Sequence, residues 1–358
     1  MKKFLIAIML FAMGGCCNSS EQTLSAVEAP IRVVGRTAEL ADGSIQFDWS
    51  GVYIDIRFKG TYLAIELSDT KCNYYNLMVD GVAQEKFKSE GEHTTVVLFD
   101  DASAKGEHHI RIQKATEAEQ GRTTIHSLSV VGKFLPTDGL ALARHIEFYG
   151  DSLTCGYGTE SLSGSDPFLA ETENCCYTYA ALTAEHFGAD YNLISHSGRG
   201  LVRNYGDEKP VSEFKTTMSS RAFRTFDEDE HSAWDFQHSP YRPDAIVITL
   251  GTNDFSTQPH PEKEVYVEGY RTLIAKLREA WGEEIPVLCV VHSPHAVECV
   301  GQMVAEIEKC EMADISGNVY NRTTDLGASE HPNRHGQAKM AAIVIDRFAQ
   351  LTGWEATE

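Results

Sequence analysis

Between residues 31 and 133 the chain runs in short stretches of mixed apolar and polar residues. VYIDIRF (52–58), YLAIELS (62–68), YNLMVDG (75–81), TTVVLF (94–99), HHIRIQK (108–114) and TIHSLSVVG (124–132) follow one another at short intervals. Several of them alternate with a period of two, and Gly, Asp and Asn punctuate them, the signature of half-buried strands. Asp80-Gly81 predicts a tight hairpin turn. This part reads as an all-β, jelly-roll-like sandwich. After FLPTDGLALAR (134–144), the expected connection, the texture changes. HIEFYG (145–150), YNLISHSG (191–198), DAIVITLGTND (244–254) and PVLCVVHS (286–293) are nearly continuous apolar runs. Helical stretches separate or follow them: YTYAALTAEHFG (177–188), EVYVEGYRTLIAKLREAWG (264–282), HAVECVGQMVAEIEKC (295–310) and HGQAKMAAIVIDRFAQL (335–351). That alternation predicts an α/β domain over 145–358, a parallel sheet with helices on both faces. Residues 207–240 are rich in charge and poor in period, and read as an irregular loop near a site.

The 358 residues leave room for two domains, and 42% of them are apolar. At the amino end, MKKFLIAIMLFAMGGCC places two lysines before an apolar run from Phe4 to Gly15. Twelve residues are too few to span a bilayer, so 1–15 reads as a signal peptide. Gly14 and Gly15 lead into Cys16, which resembles a bacterial lipobox with Met13 at the usual leucine position. The expectation is an exported, membrane-anchored lipoprotein, periplasmic or cell-surface, lipidated at Cys16 and carried on a tether of residues 16–30. The membrane is engaged only through that lipid. Lys plus Arg number 31 against 52 Asp plus Glu, a net charge of −21 that repels nucleic acid and leaves neutral polysaccharides unaffected. The nine cysteines show no paired CxxC spacing, so no zinc or other metal site is expected. Export permits a bridge from Cys155 to Cys175 or Cys176, and Cys289 reads as a small buried hydrophobe.

The strand ends carry the chemistry. They present Gly150-Asp151-Ser152, Ser197-Gly198-Arg199-Gly200 and Gly251-Thr252-Asn253-Asp254, and Glu330-His331-Pro332-Asn333 precedes the last helix. Ligands on such sheets sit beyond the carboxyl ends of the strands. Acyl transfer needs a hydroxyl nucleophile, a base and donors aimed at the developing oxyanion. Ser152 supplies the hydroxyl and His331 the base. The backbone N–H groups of Ser152 and Gly198 and the Asn253 amide supply the donors. A serine here is by itself an ordinary helix cap; four blocks in this order are not ordinary. GDSLT lacks the second glycine of the G-x-S-x-G elbow. Asp151 and Asp254 read as structural. His196, His292 and His295 read as structural or substrate-lining. Tyr157, Arg199, Tyr205, Trp234 and Phe255 are candidates to line a sugar site, with core packing the default for any one aromatic. The run DEDE (227–230) reads as a solvated loop, and the β domain as one wall of the cleft.

GDSL, SG, GTND and HPN resemble the ordered blocks of the SGNH (GDSL) hydrolase superfamily. IEFYGDSLTCGYG, SGRGLVRNYG, PDAIVITLGTNDF and HPNRHGQAKMA are more closely similar to carbohydrate esterase family 2. The resemblance implies a flavodoxin-like SGNH sheet behind a sandwich domain. It implies deacetylation of plant-wall polysaccharides or oligosaccharides, such as xylan and glucomannan, through a serine acetyl-enzyme without a cofactor. Many SGNH enzymes carry an aspartate three residues before the histidine, where this chain has Ala328. The resemblance therefore implies a Ser–His dyad with a backbone carbonyl holding the imidazole. Asp325 and Glu330 are the alternatives for a third member. The competing functions are another SGNH acyl hydrolase, lipase- or thioesterase-like, and a non-catalytic glycan-binding surface lipoprotein.

Overall fold

The computed structural model describes residues 21–357; the signal peptide and Cys16 lie outside the described residues. The amino-terminal half is one antiparallel hydrogen-bonded network built around a continuous ladder, Tyr53–Val79. Three expected strands merge in it. The ladder pairs with Phe87–Asp100, Glu107–Lys114 and Thr123–Leu135. The chain bends instead of turning at Gly60, which sits opposite Gly132. A Cβ on Gly60 would lie 2.1 Å from the Val131 carbonyl oxygen, and one on Gly132 would lie 2.2 Å from that of Lys59. Only glycine lets the two backbones cross so closely. On either side of the bend Ile54, Ile56 and Phe58, then Leu63, Ile65 and Leu67, point into the core on alternate positions. Asp80 and Gly81 both take positive φ between paired Val79 and Val82, the hairpin expected from the sequence.

The expected tether is partly wrong. Glu21–Ser25 is a strand paired with Thr123–Leu135, and Ala26 and Ala29 are buried against the core.

The second half is a five-stranded parallel sheet. Its spatial order is Ala189–Ser195, Arg144–Gly150, Ala245–Thr249, Val287–Val291, Cys310–Asp314. Ile146, Phe148, Val247, Leu288 and Val290 face the helices Tyr179–His186 and Arg334–Thr352. Tyr149, Ile246, Ile248, Val287 and Val291 face Lys263–Trp281 and Val297–Val304. Both faces are covered, which is why the strands read as unbroken apolar runs. The helix expected to reach residue 310 stops at Val304, and Cys310–Asp314 is the edge strand. None of the described helices is long and apolar enough to cross a membrane. Cys155, Cys175 and Cys176 are free thiols, so the expected bridge is not formed; Cys289 is buried in its strand.

The two halves share one core and are joined by buried polar contacts. Arg36 of the sandwich is fully buried. It donates to Glu147 Oε1 at 3.1 Å and to the carbonyls of Ala222 and Arg224 at 2.8 and 2.9 Å. Arg32 and Tyr53 both bond Asp190, and Trp49 Nε1 donates to the Thr225 carbonyl at 2.9 Å. Removing one partner of a buried ion pair leaves the other charge uncompensated, typically at about 3–5 kcal/mol. Arg36→Met is therefore expected to lower unfolding free energy by about 3–5 kcal/mol, read from the urea midpoint. An unchanged midpoint would show that Glu147 is satisfied by Tyr149, Tyr241 and Trp281 alone.

Candidate active site

Ser152 opens a one-turn helix, Ser152–Cys155, at the carboxyl end of Arg144–Gly150, the second strand of the sheet. Asp151 is the cap: its Oδ1 accepts from Leu153 N at 3.0 Å. The capping duty falls on Asp151, which leaves the Ser152 hydroxyl free. His331 Nε2 lies 2.8 Å from Ser152 Oγ. His331 Nδ1 lies 3.1 Å from the carbonyl oxygen of Ser329, so the ring stands between a hydroxyl and a main-chain acceptor. That carbonyl is aimed by an unusual turn. Ser329 (φ 51°) and Glu330 (φ 60°) are both left-handed, a conformation that costs non-glycine residues energy. Ser329 N donates to the Asp166 carbonyl at 2.9 Å and Glu330 N to that of Gly164 at 3.0 Å, and these bonds hold the turn in place. Burial lowers the pKa of His331, while its backbone contacts at Ser329 and Ala328 act the other way.

Neither acid proposed as a third member reaches the imidazole. Asp325 pairs with Lys339, accepts from Asn321 N at 2.6 Å and is held at about 2, mainly by the Lys339 ammonium. Glu330 turns outward and pairs with Arg322 at 2.8 Å on the surface. Ala328, at the position where many relatives carry the aspartate, is buried against Gly158.

The neighbouring strand ends bring up Asn253 and Gly198, the donors expected from the sequence. Asn253 Nδ2 donates to Asp151 Oδ2 at 3.2 Å and to the Arg199 carbonyl at 3.0 Å, which fixes the amide beside the serine. Gly198 has φ +74° inside a turn closed by Arg199 N to the His196 carbonyl at 3.3 Å. Asp254 accepts from the backbone N–H groups of Leu201, Val202 and Arg203 at 2.7–2.9 Å and so pins the following loop. Burial pushes Asp151 up to about 7 and Asp254 up to about 6, against the backbone donors that favour their ionised forms.

A cleft of about 490 Å³ opens over Ser152 and His331. Phe255, His292, His295 and Tyr320 line it, and every lining residue lies between 152 and 332. The β domain is therefore not a wall of this cleft, contrary to expectation. Tyr157 packs against the His331 ring at 4.4 Å and against Phe168 at 4.1 Å, so it backs the imidazole. Tyr205 is 68% exposed, with its Cβ beside Gly198. Arg199 has a buried Nε without a protein partner. Trp234 is not a cleft residue: it stacks on Tyr241 and on Arg36 at the domain junction. Arg203 is buried and donates to main-chain carbonyls, not outward. The acidic run is not simply solvated. Asp227 is fully buried and bonds His196 and Arg221; against the penalty of burial, these two cations hold it at about 2. His292, expected as structural or substrate-lining, does line the cleft, but sequence reading missed Tyr320, which bonds it there. The signal for His292 was its place directly after the strand Val287–Val291; Tyr320 carried none.

Among the described residues, three groups of side chains could offer three metal ligands each: one of Glu117, Cys155 and Glu173, one of His196, Asp227 and Glu228, and a third that joins Glu117 and His196 with Glu119. In the second, the Arg221 guanidinium already occupies the carboxylates. In the first, Glu117 Oε2 already accepts a backbone N–H.

Comparisons with known proteins agree with this geometry. Residues 33–137 match the family model "Carbohydrate esterase 2 N-terminal", and residues 148–339 match "GDSL-like Lipase/Acylhydrolase family". The chain is similar to the cellulase/esterase CelE of Acetivibrio thermocellus, 34% identical over 245 residues, which is 68% of this chain and only 28% of that protein. It is similar to an acetylxylan esterase/glucomannan deacetylase of Cellvibrio japonicus, 30% identical over 332 residues and covering 87% of each. A family two carbohydrate esterase from Clostridium thermocellum, solved in complex with cellohexaose, shares the fold with a TM-score of 0.82 at 29% identity. That match covers 90% of this chain and 99% of the other. With a Ser–His pair at the carboxyl edge of a GDSL-type sheet and a matching sandwich ahead of it, the chain belongs to the GDSL-like acylhydrolases and, among them, to the family 2 carbohydrate esterases.

Proposed function

We propose that this esterase removes O-acetyl groups from plant cell-wall polysaccharides or their oligosaccharides, xylan and glucomannan among them, as an exported lipoprotein anchored through Cys16. The observation that carries the catalytic part is the 2.8 Å contact between Ser152 Oγ and His331 Nε2 at the floor of the cleft. Ser152 attacks the acetyl carbonyl while His331 takes its proton. The backbone N–H groups of Ser152 and Gly198 receive the oxyanion, and the Asn253 amide joins them by turning one N–H away from its longer bond, the 3.2 Å contact with Asp151 Oδ2. His331 then protonates the departing sugar hydroxyl, and water repeats the sequence on the acetyl-enzyme. The Ser329 carbonyl fixes the tautomer by accepting from Nδ1–H. The chemistry needs only these groups. The substrate is supported by the name of the Cellvibrio japonicus relative, and export by the amino-terminal pattern of lysines, apolar run and Cys16.

Acetate release from acetylated xylan and acetylated glucomannan should fall by about 10³-fold or more in Ser152→Ala. Wild-type protein that frees no acetate from either polymer would overturn the substrate assignment. Asp325→Asn and Glu330→Gln should each keep kcat within about threefold of wild type. A true orienting aspartate costs about 10⁴ when neutralised, so a loss of that size in either variant would replace the dyad by a triad. Cys16→Ser in the full chain should move the protein from the membrane fraction to the soluble fraction. Retention of the variant in the membrane would rule out the lipid as the anchor.

A further inference from the structure

One loop of the sandwich domain ends inside the other domain, directly behind the site. It joins Glu107–Lys114 to Thr123–Leu135 and carries Glu117, which is fully buried. Glu117 Oε2 accepts from the backbone N–H of Ser197 at 2.7 Å and from the Cys155 thiol at 3.4 Å. Ser197 immediately precedes Gly198, and Cys155 closes the short helix that Ser152 opens. One carboxylate oxygen therefore touches both the turn that presents the Gly198 N–H and the element that presents the nucleophile. We propose that Glu117 is a positioning residue for acyl transfer: a carboxylate, supplied by the sandwich domain, that fixes the oxyanion turn against the nucleophile helix.

The geometry of the turn explains why such a clamp matters. His196–Arg199 is closed by Arg199 N to the His196 carbonyl, and Gly198, at the third position, has φ +74°, as a type II turn requires. In such a turn the central peptide carries the Gly198 N–H and can flip. Here the peptides on both sides of it are held. The one before gives its Ser197 N–H to Glu117, and the one after receives Tyr205 N on the Gly198 carbonyl at 2.8 Å. A hydrogen bond to an ionised acceptor is about twice as strong as a neutral one. The clamp is itself anchored. Lys114 Nζ, fully buried, donates to the carbonyls of Thr116 and Glu117 at 2.7 and 3.0 Å. Glu117 N donates to Glu173 Oε2 at 3.1 Å, and Cys175 N to the Ala115 carbonyl at 3.0 Å. Burial, and then the neighbouring Glu117 carboxylate, push Glu173 well above the carboxylate range. The Glu117 charge also favours the protonated form of His331, opposing the larger effect of burial.

The assignment rests on the Ser152–His331 esterase reading, and its test separates the two. With p-nitrophenyl acetate and acetylated xylan, Glu117→Ala should lower kcat roughly 10- to 100-fold with KM within about twofold. Complete loss of one oxyanion donor costs about 10²–10³. Glu117→Gln keeps an oxygen for the Ser197 N–H and should recover most of kcat. Its acid limb of kcat/KM should move to lower pH, because a charge that raises His331 has gone. The other groups facing His331 are unchanged in that variant: Ser152, Tyr157, His292 and the Arg322–Glu330 pair. Tyr53→Phe, which cuts a junction bond to Asp190 away from the site, should leave kcat and the acid limb as in wild type. Should Glu117→Ala fail to fold, Glu117→Asp, which withdraws the oxygen but keeps the charge, takes its place. Folded Ala and Asp variants with kcat within twofold of wild type, or a Tyr53→Phe that matches their losses, would overturn the positioning role alone. Wild-type protein inert toward both esters would remove the esterase reading and this assignment with it.

Discussion

Burial of charge at the junction between the two domains is the constraint on which the rest of the molecule depends. Arg36, Glu117, Lys114, Glu147 and Asp190 are all withdrawn from water, and most find a partner on the other side of the junction. Isolated, each would carry a desolvation penalty of several kcal/mol, so neither domain presents this surface to solvent without a large loss. The sandwich is therefore seated in one orientation, and the sheet that carries the site is supported from behind. This also explains why the cleft is lined by the α/β domain alone. The sandwich acts through contacts under the strand ends and leaves the mouth of the cleft to loops that can vary.

Much of this was legible in the sequence because the determinants are local. The four parallel strands with continuous apolar runs, the two long helices and the Asp80-Gly81 hairpin follow from period and turn chemistry. The motif blocks at the strand ends come together in space, with His331 Nε2 2.8 Å from Ser152 Oγ and the Asn253 amide on Asp151. The failures share another cause. Cys310–Asp314 is an edge strand of five residues whose exposed positions, Glu311 and Asp314, mimic the tail of an amphipathic helix. Glu21–Ser25 is polar enough to read as a tether, and is a strand only because Thr123–Leu135 offers it an edge. Asp227 sits in a run of four acids, yet its burial is decided by Arg221, six residues before it, and by His196, 31 residues before it, neither of which any period links to it. Trp234 was assigned by nearness in sequence to the motifs, but packs on Arg36 at the junction. Partners separated by many residues leave no periodic trace, and Glu117 with Ser197, 80 residues apart, is the clearest case.

In the proposed mechanism the base is held by a main-chain carbonyl in place of an orienting carboxylate. A carbonyl can hold the Nδ1 proton and fix the tautomer, which the Ser329 turn does by placing two consecutive residues in the left-handed region. It carries no net charge, so it stabilises the imidazolium formed during proton transfer less than an aspartate would. That role passes to charge placed further away and to the donors that receive the oxyanion. Stabilisation of the negative centre then matters more than stabilisation of the positive one, and the donors must be held without slack. The bonds are distributed accordingly. Asp151 fixes Asn253 on one side of the serine, Asp254 fixes residues 201–203, and Glu117 fixes Ser197 from the other domain. In the proposed mechanism these three buried acids, none of which lines the cleft, take up the orienting work on the oxyanion side of the reaction instead of on the imidazole.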